Sequence, residues 1–196
     1  MADGVAVQRG ADLENADDRN LVRRVQHGDD LAFRDLVERY EGRLLVLARR
    51  LIGDAQRAED IVQDSFLKAY TKIGGFNFGS TFYTWIYRIT VNTASDVRKS
   101  ETRRRAASLD DERLGPSLSG SNPAPDQVAS TEEQQRIVRR EIDRLSPKLA
   151  TILRLRELEG LTYEQIAGVL GVAKGTVESR IFRAREKLRQ RLEEIL

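Results

Sequence analysis

Two stretches of this chain repeat apolar residues at three- and four-residue intervals, and neither shows a convincing alternation of apolar with polar. Such spacing lines one face of an α-helix, whereas a half-buried strand needs a period of two. In the first stretch Phe33, Leu36, Val37, Tyr40, Leu44, Leu47, Ala48 and Leu51 follow the pattern until Gly53. Ala58, Ile61, Val62, Ser65, Phe66, Ala69 and Ile73 repeat it up to Gly74 and Gly75. Phe82, Trp85, Ile86, Ile89 and Val97 carry it into a third long helix. Between the stretches lies SLDDERLGPSLSGSNPAPDQ, which holds three of the four prolines and no apolar period. Serine, glycine and proline in that mixture make a flexible connector. The expectation is an all-α chain: two small helical domains, residues 17–105 and 131–196, joined by a flexible linker over 106–130. Residues 1–16 carry no pattern and are expected to be disordered. Blocks of about 70 to 80 residues are near the lower limit for burying a core alone. Joined in this way, they need no fixed mutual orientation.

The second block contains LTYEQIAGVLGVAKGTVESRIFRAREKLRQRL, residues 161–192. Thr162 and Gln165 fit a capping box, in which the threonine caps the helix and the glutamine reaches back. Ile166, Ala167, Val169 and Leu170 form an apolar side, and Gly171 permits a sharp turn. In the helix that restarts at once, Val177, Ile181, Ala184 and Leu188 share one narrow arc. Gly175, Ser179, Phe182 and Arg183 occupy the opposite arc. This is the layout of a helix-turn-helix, whose second helix enters the major groove with its N-terminal turns. Small residues at Gly175, Thr176 and Ser179 allow close approach. Arg180, Arg183, Arg185, Lys187 and Arg189 supply charge for phosphates. A plain helical hairpin with a solvated basic face is the alternative, but cap, turn, small residues and arginines agree on DNA. Upstream, Ser146 and Pro147 read as an N-cap followed by proline in the first turn.

The first block gathers aromatics. Phe76, Phe78, Phe82, Tyr83, Trp85 and Tyr87 fall within twelve residues, and Arg88, Arg98, Lys99 and Arg103 to Arg105 follow. Interleaved rings and cations suit unpaired bases, since each base offers a π-face and each nucleotide a phosphate. Phe82 and Trp85 share the register of Ile86 and Ile89 and are expected in the core. Phe78, Tyr83, Tyr87 and Asn92 fit that face poorly and are expected at the surface; Phe76 fits either. In AEDIVQDSFLKAY, the residues Glu59, Asp60, Gln63, Asp64 and Lys68 lie along one exposed side of a helix. That side is either a solvated polar face or a docking surface for a basic partner.

Composition excludes several classes. Lys and Arg total 33 against 31 Asp and Glu, a net charge of +2, so charge distribution rather than its sum is informative. With no cysteine, disulfides, thiolate metal sites and cysteine nucleophiles are ruled out. The one histidine, His27, lies at an acidic helix end and reads as solvated. Glu59, Asp60 and Asp64 could be imagined as metal ligands, but no histidine supports them. The longest apolar run, Leu44 to Ala48, is far too short to span a bilayer, and the N-terminus reads as neither signal nor anchor. A soluble cytoplasmic protein without catalytic constellation, metal or cofactor is the expectation.

GDDLAFRDLVERY, AEDIVQDSFLKAY, TFYTWIYRITVNTASD and LEGLTYEQIAGVLGVAKGTVESRIFRARE occur here in that order. Together they resemble the extracytoplasmic-function sigma factors of bacterial RNA polymerase, and the resemblance runs from about Asp18 to Leu192. It implies that the chain is no enzyme but binds core RNA polymerase, through the β′ clamp helices and β flap, and selects promoters of a stress regulon. It implies that Glu59, Asp60, Gln63, Asp64 and Lys68 meet the clamp helices. The promoter −10 element, single-stranded, would meet Phe76, Asn77, Phe78, Gly79, Ser80, Tyr83, Tyr87, Arg88 and Asn92. Among these, Asn92 and the 76–80 loop match the family's pocket for a flipped base. Lys174, Gly175, Thr176, Glu178, Ser179, Phe182 and Arg183 would meet the duplex −35 element. A small anti-sigma protein, of the kind that can be tethered to a membrane, would be the regulatory partner; no small-molecule substrate is implied. Three positions depart from the usual pattern. Asn77-Phe78-Gly79 replaces an arginine-containing loop core, Ala173-Lys174 stands where proline is common, and Glu178 can accept from cytosine N4 while repelling phosphate. The rival reading is a free-standing regulator that binds duplex DNA without polymerase.

Overall fold

The computed structural model describes residues 15–109 and 131–195. A first helix, α1, covers 15–26, followed by α2 (Asp30–Ile52), α3 (Ala55–Lys72), a 3-10 turn (Ile73–Gly75) and α4 (Phe82–Leu109). The second block comprises α5 (Thr131–Asp143), α6 (Pro147–Leu153), a π-helical turn (Arg154–Leu158), α7 (Tyr163–Leu170) and α8 (Lys174–Glu193). No strand occurs among the described residues.

Helix ends form where the sequence offers partners. Asp29 caps α2 by accepting from the backbone of Leu31 and Ala32, and Gly53 ends it in the left-handed region at φ 80. Asp54 immediately caps α3 through the Arg57 amide at 2.9 Å. These bonds satisfy donors that the first turn leaves without partners. The stripes then pack. Leu36, Tyr40, Leu44, Leu47 and Ala48 of α2 are buried against Ala58, Ile61, Val62 and Ala69 of α3 and Phe82 and Ile86 of α4. Burying each large apolar side chain contributes about 1.5 to 3 kcal/mol. Asp18 of α1 is also buried, with its carboxylate held by Arg39 at 2.6 Å and by the Tyr40 hydroxyl. A carboxylate is tolerated inside only when it is paired and hydrogen-bonded in this way.

The second block has its own core of Ile152, Leu153, Leu155, Ile166, Val169, Val177 and Ile181. The Thr162–Gln165 capping box is present with both bonds, 3.2 and 2.8 Å, and Gly171 turns the chain at φ 65. Pro147 takes the first turn of α6, but the Ser146 side chain makes no capping bond.

Three expectations change. Asn15 and Ala16 are already helical, and α4 continues through residues 106–109, which were expected in the linker. Once helix propagation is under way, adding a residue is cheap, so the long α4 overruns its apolar stripe. The rest of the expected linker, 110–130, and residues 1–14 lie outside the described residues. The third change is that the blocks do not float apart: α7 packs on α4. Arg88 Nε donates to the Gly168 carbonyl at 2.8 Å. Arg50 Nη1 donates to the Leu158 carbonyl at 2.7 Å and pairs with Glu159 at 2.5 Å.

Asp18→Ala removes the buried carboxylate and leaves Tyr40 Oη and Arg39 without that acceptor. The expected loss is about 1 to 3 kcal/mol of stability, read by urea unfolding followed through the single tryptophan, Trp85. An unchanged midpoint contradicts this account of how α1 is held.

Candidate nucleic-acid interface

In the second block, α7 supports and α8 presents. Val177, Ile181 and Ala184 turn inward, while Lys174, Gly175, Glu178, Ser179, Phe182 and Arg183 are exposed. Phe182 keeps 72% of its surface accessible, an unusual position for a phenylalanine on a helix that buries three smaller residues. Thr176 is half-buried. The presenting turn is internally braced. Ser179 Oγ donates to the Thr176 carbonyl at 3.1 Å, and Arg183 Nε to the Ser179 carbonyl at 3.2 Å. Lys174 Nζ lies 2.6 Å from Glu164, which ties the two helices; the pair raises the lysine pKa and lowers that of the glutamate.

The other arginines of α8 are not equivalent. Arg185 is paired with Glu157 at 2.6 Å, and Arg189 with Glu186 at 2.8 Å and Glu193 at 2.5 Å. Those carboxylates raise the pKa of both guanidinium groups. Arg180 is half-buried and lines a cleft against α4 rather than the exposed arc.

In the first block, Phe76 is buried, with ring centroids 4.9 Å from Trp85 and 5.2 Å from Phe78. It is a core residue. Phe78 is half-buried at φ 60, a conformation that bulky residues rarely adopt. The guanidinium carbons of Arg23 and Arg19 lie 5.5 and 5.8 Å from its ring centroid. Asn77 and Gly79 are exposed, Ser80 is half-buried, and Asn77 Oδ1 accepts from the Gly79 amide at 3.1 Å. Backbone strain of this kind gathers at working sites more than in plain connectors.

Along α4, Tyr83 is half-buried and Tyr87 is 2% exposed, with the two rings 4.2 Å apart. The expectation of a surface Tyr87 is therefore incorrect. Because α4 packs against α2 and α3 on one side and α7 on another, its buried arc is wider than one stripe. Burial pushes both phenol pKa values up, and the negative charge of Glu159 pushes the same way. Arg88 is half-buried on the Gly168 carbonyl, and Trp85 is half-buried against Phe76 and Phe82. Asn92 is exposed, one turn beyond Arg88, and lines the cleft with Arg98, Lys99 and Arg180.

On α3, Glu59, Asp60, Gln63 and Asp64 are exposed in one row, with Glu59 3.5 Å from Arg49. Lys68 departs from that row: it is half-buried and donates to Thr93 Oγ1 at 3.0 Å, because its stem reaches across to α4. Sequence reading missed Leu67, 63% exposed on the same helix, and nearby Leu31 and Tyr70, 63% and 44% exposed. The available signal was that Leu67 falls outside the stripe of Ile61, Val62, Phe66 and Ala69. Among the described residues, no three carboxylate or histidine side chains converge to hold a metal ion. No described helix is long and apolar enough to cross a membrane.

Comparison with known proteins identifies the family. The family described as Sigma-70 region 2 matches residues 36–104, and Sigma-70, region 4 matches residues 135–188. The chain is 40% identical over 189 residues to the RNA polymerase sigma-H factor of Pseudomonas aeruginosa, covering 94% of this chain and 98% of that protein. It is also 40% identical over 190 residues to the ECF RNA polymerase sigma-E factor of Escherichia coli, covering 93% and 98%. Among solved structures, CnrH in complex with the cytosolic domain of CnrY aligns with a TM-score of 0.66 at 27% identity, covering 91% of this chain and 98% of that one. The sigma factor RpoE of Bartonella quintana, solved with the anti-sigma factor NepR, aligns at 0.59 and 28% identity, covering 82% and 96%. At 40% identity over nearly the whole length of such relatives, the chain belongs to the extracytoplasmic-function sigma factors of bacterial RNA polymerase.

Proposed function

We propose that this chain binds core RNA polymerase, directs it to promoters through their −35 and −10 elements, and helps to open them under the control of an anti-sigma protein. The observation that carries the reading is the presence, on one chain, of both promoter-binding regions of its relatives over nearly their whole length. The same observation disfavours a free-standing regulator. As a sigma factor the chain supplies binding energy, and the polymerase supplies the chemistry.

In this reading the row of Asp60, Gln63 and Asp64 docks on basic helices of the polymerase, and exposed Leu67 adds apolar area at its end. Glu59 begins the row; Lys68, turned inward to Thr93, braces it from below. The exposed arc of α8 reads the −35 duplex. Ser179 and Arg183 face the groove, Glu178 is placed to accept from a cytosine amine, and Lys174 lies at the helix start with Gly175 and Thr176. Phe182 offers an apolar contact at the edge of that arc.

At −10, Asn92 and the loop of Asn77, Phe78, Gly79 and Ser80 take up an unpaired base. Unpairing a base costs a few kcal/mol, and stacking on an aromatic ring returns roughly 1 to 3 kcal/mol. A single pocket can therefore offset about one opened position. Phe76 supports the loop from the core, buried Tyr87 and half-buried Tyr83 back the helix beside it, and Arg88 is held by the Gly168 carbonyl.

Three measurements test these assignments. Reversing charge at Asp60 and Asp64 is expected to weaken core binding at least about tenfold, or 1.4 kcal/mol, in a fluorescence competition assay. Duplex −35 binding should be unaffected, and undiminished core affinity moves the docking face elsewhere. Arg183→Ala is expected to cost about 1 to 3 kcal/mol on cognate −35 duplex and far less on scrambled duplex; equal losses reduce Arg183 to a positioning contact. Asn92→Ala and Phe78→Ala are expected to lower permanganate reactivity at −10 on a duplex promoter, with rescue on a pre-melted bubble. Full melting by both variants on the duplex refutes the pocket.

A further inference from the structure

We propose that α1 is part of the single-strand site: Arg19 and Arg23 take the phosphates on either side of a base that stacks on Phe78. The inference rests on the reading of the 76–80 loop given above and extends that site to a second helix.

The loop is built on α1. Gln26 Nε2 donates to the Ile73 carbonyl at 2.8 Å and to the Phe76 carbonyl at 2.9 Å, so one side chain of α1 holds the chain where it enters the loop. Past that anchor, Phe78 stands at φ 60, and Asn77 Oδ1 accepts from the Gly79 amide at 3.1 Å. A bulky residue keeps such a backbone only where its surroundings hold it. Helix α1 is itself fixed through buried Asp18, which Arg39 and the Tyr40 hydroxyl hold. The Phe78 ring is therefore presented at a set distance from α1 rather than carried on a free loop.

Arg19 and Arg23 are one helical turn apart and reach the same side of α1. Their guanidinium carbons lie 5.8 and 5.5 Å from the Phe78 ring centroid. Both residues are exposed, and among the described residues neither guanidinium pairs with a carboxylate. Other arginines nearby are occupied: Arg24 by Asp29 at 2.7 Å and Arg39 by Asp18 at 2.6 Å. Residues 76–80 carry no charge, and Arg88 of α4 is held by the Gly168 carbonyl. The free cations beside this ring thus come from α1. Stacking holds a base, but the strand's charge must be met by a cation. A planar guanidinium can lie against a ring and donate in its own plane to phosphate oxygens. Exposed cation–π contacts are weak enough to release the group to a phosphate. A nucleotide stacked on Phe78 brings its flanking phosphates to the side of the ring, where the two arginines stand.

The test uses holoenzyme formed from core polymerase and the full chain, with a fluorescent bubble promoter unpaired across −10. Arg19→Ala with Arg23→Ala, Arg19→Lys with Arg23→Lys, and Phe78→Ala are compared with the parent over a salt series. Two lost phosphate contacts, at about 0.7 each, flatten the slope of log affinity against log salt by about 1.4. A fourfold rise in salt is then expected to cost the parent about sevenfold more than the alanine pair. The lysine pair is expected to keep the parent's slope, because charge rather than ring contact sets it. Phe78→Ala is expected to bind more weakly at an unchanged slope. Neutral methylphosphonates placed singly along the −10 strand are expected to weaken the parent at two neighbouring linkages and to leave the alanine pair indifferent there. Core binding and the unfolding midpoint of both arginine pairs are expected to match the parent. If the alanine pair retains the parent's slope and methylphosphonate profile, the proposal is overturned and the loop reading stands. An equal fall in slope for Phe78→Ala also overturns it, reducing the arginines to props for the ring. A parent holoenzyme with no preference for the bubble over the duplex overturns the loop reading, and this proposal with it.

Discussion

The structure depends on how α4 divides its circumference. One arc must close the core of the first block, where Phe82 and Ile86 meet Tyr40 of α2 and the stripe of α3. A second arc is taken by α7. What remains is a narrow polar strip that includes Asn92, Asp96 and Lys99. A helix this heavily buried is rigid, which suits the strand-capturing surface proposed for it: loose side chains would lose in ordering entropy what they gained in stacking. The aromatics that look like a row of stacking platforms in the sequence are thus mostly the material of the wall. Phe76 and Tyr87 are buried and Trp85 half-buried, while Phe78 stands at the edge, held in a strained backbone between the wall and two arginines.

The second block solves a different problem. Its recognition helix is rich in arginine, yet Arg185 and Arg189 are occupied by neighbouring carboxylates. Exposed pairs of this kind are worth at most about 1 kcal/mol, so a phosphate can replace the partner at little cost. The exposed arc is left to the small residues, Glu178, Phe182 and Arg183, where base edges rather than phosphates can be told apart. In the proposed reading, the chain separates its electrostatic contacts from its reading contacts along one helix.

The local half of this architecture was legible in the sequence. Gly53 and Gly171 end helices in the left-handed region, Thr162 and Gln165 form both bonds of their box, and the two arcs of α8 face as their spacing dictates. Each is decided by residues within a turn or two of one another. The misreadings share the opposite cause. Tyr87 and Lys68 are placed by packing on two sides or by a contact 25 residues away, which periodicity along one helix does not encode. Helix α4 ran past its apolar stripe because propagation needs no buried face. Gly168 was visible as a residue but not as a contact: a Cβ there would lie 2.7 Å from Thr84 Cγ2, and only that neighbour gives the glycine a meaning.

In the proposed function, two surfaces on one chain, one for each promoter element, convert a non-selective polymerase into a selective one. Run-off transcription by core RNA polymerase over a genomic promoter library, with and without this chain, tests it most directly. The account predicts that adding the chain produces initiation at defined sites sharing two sequence boxes at a fixed spacing. An unchanged distribution of start sites, at concentrations that saturate core binding, contradicts it.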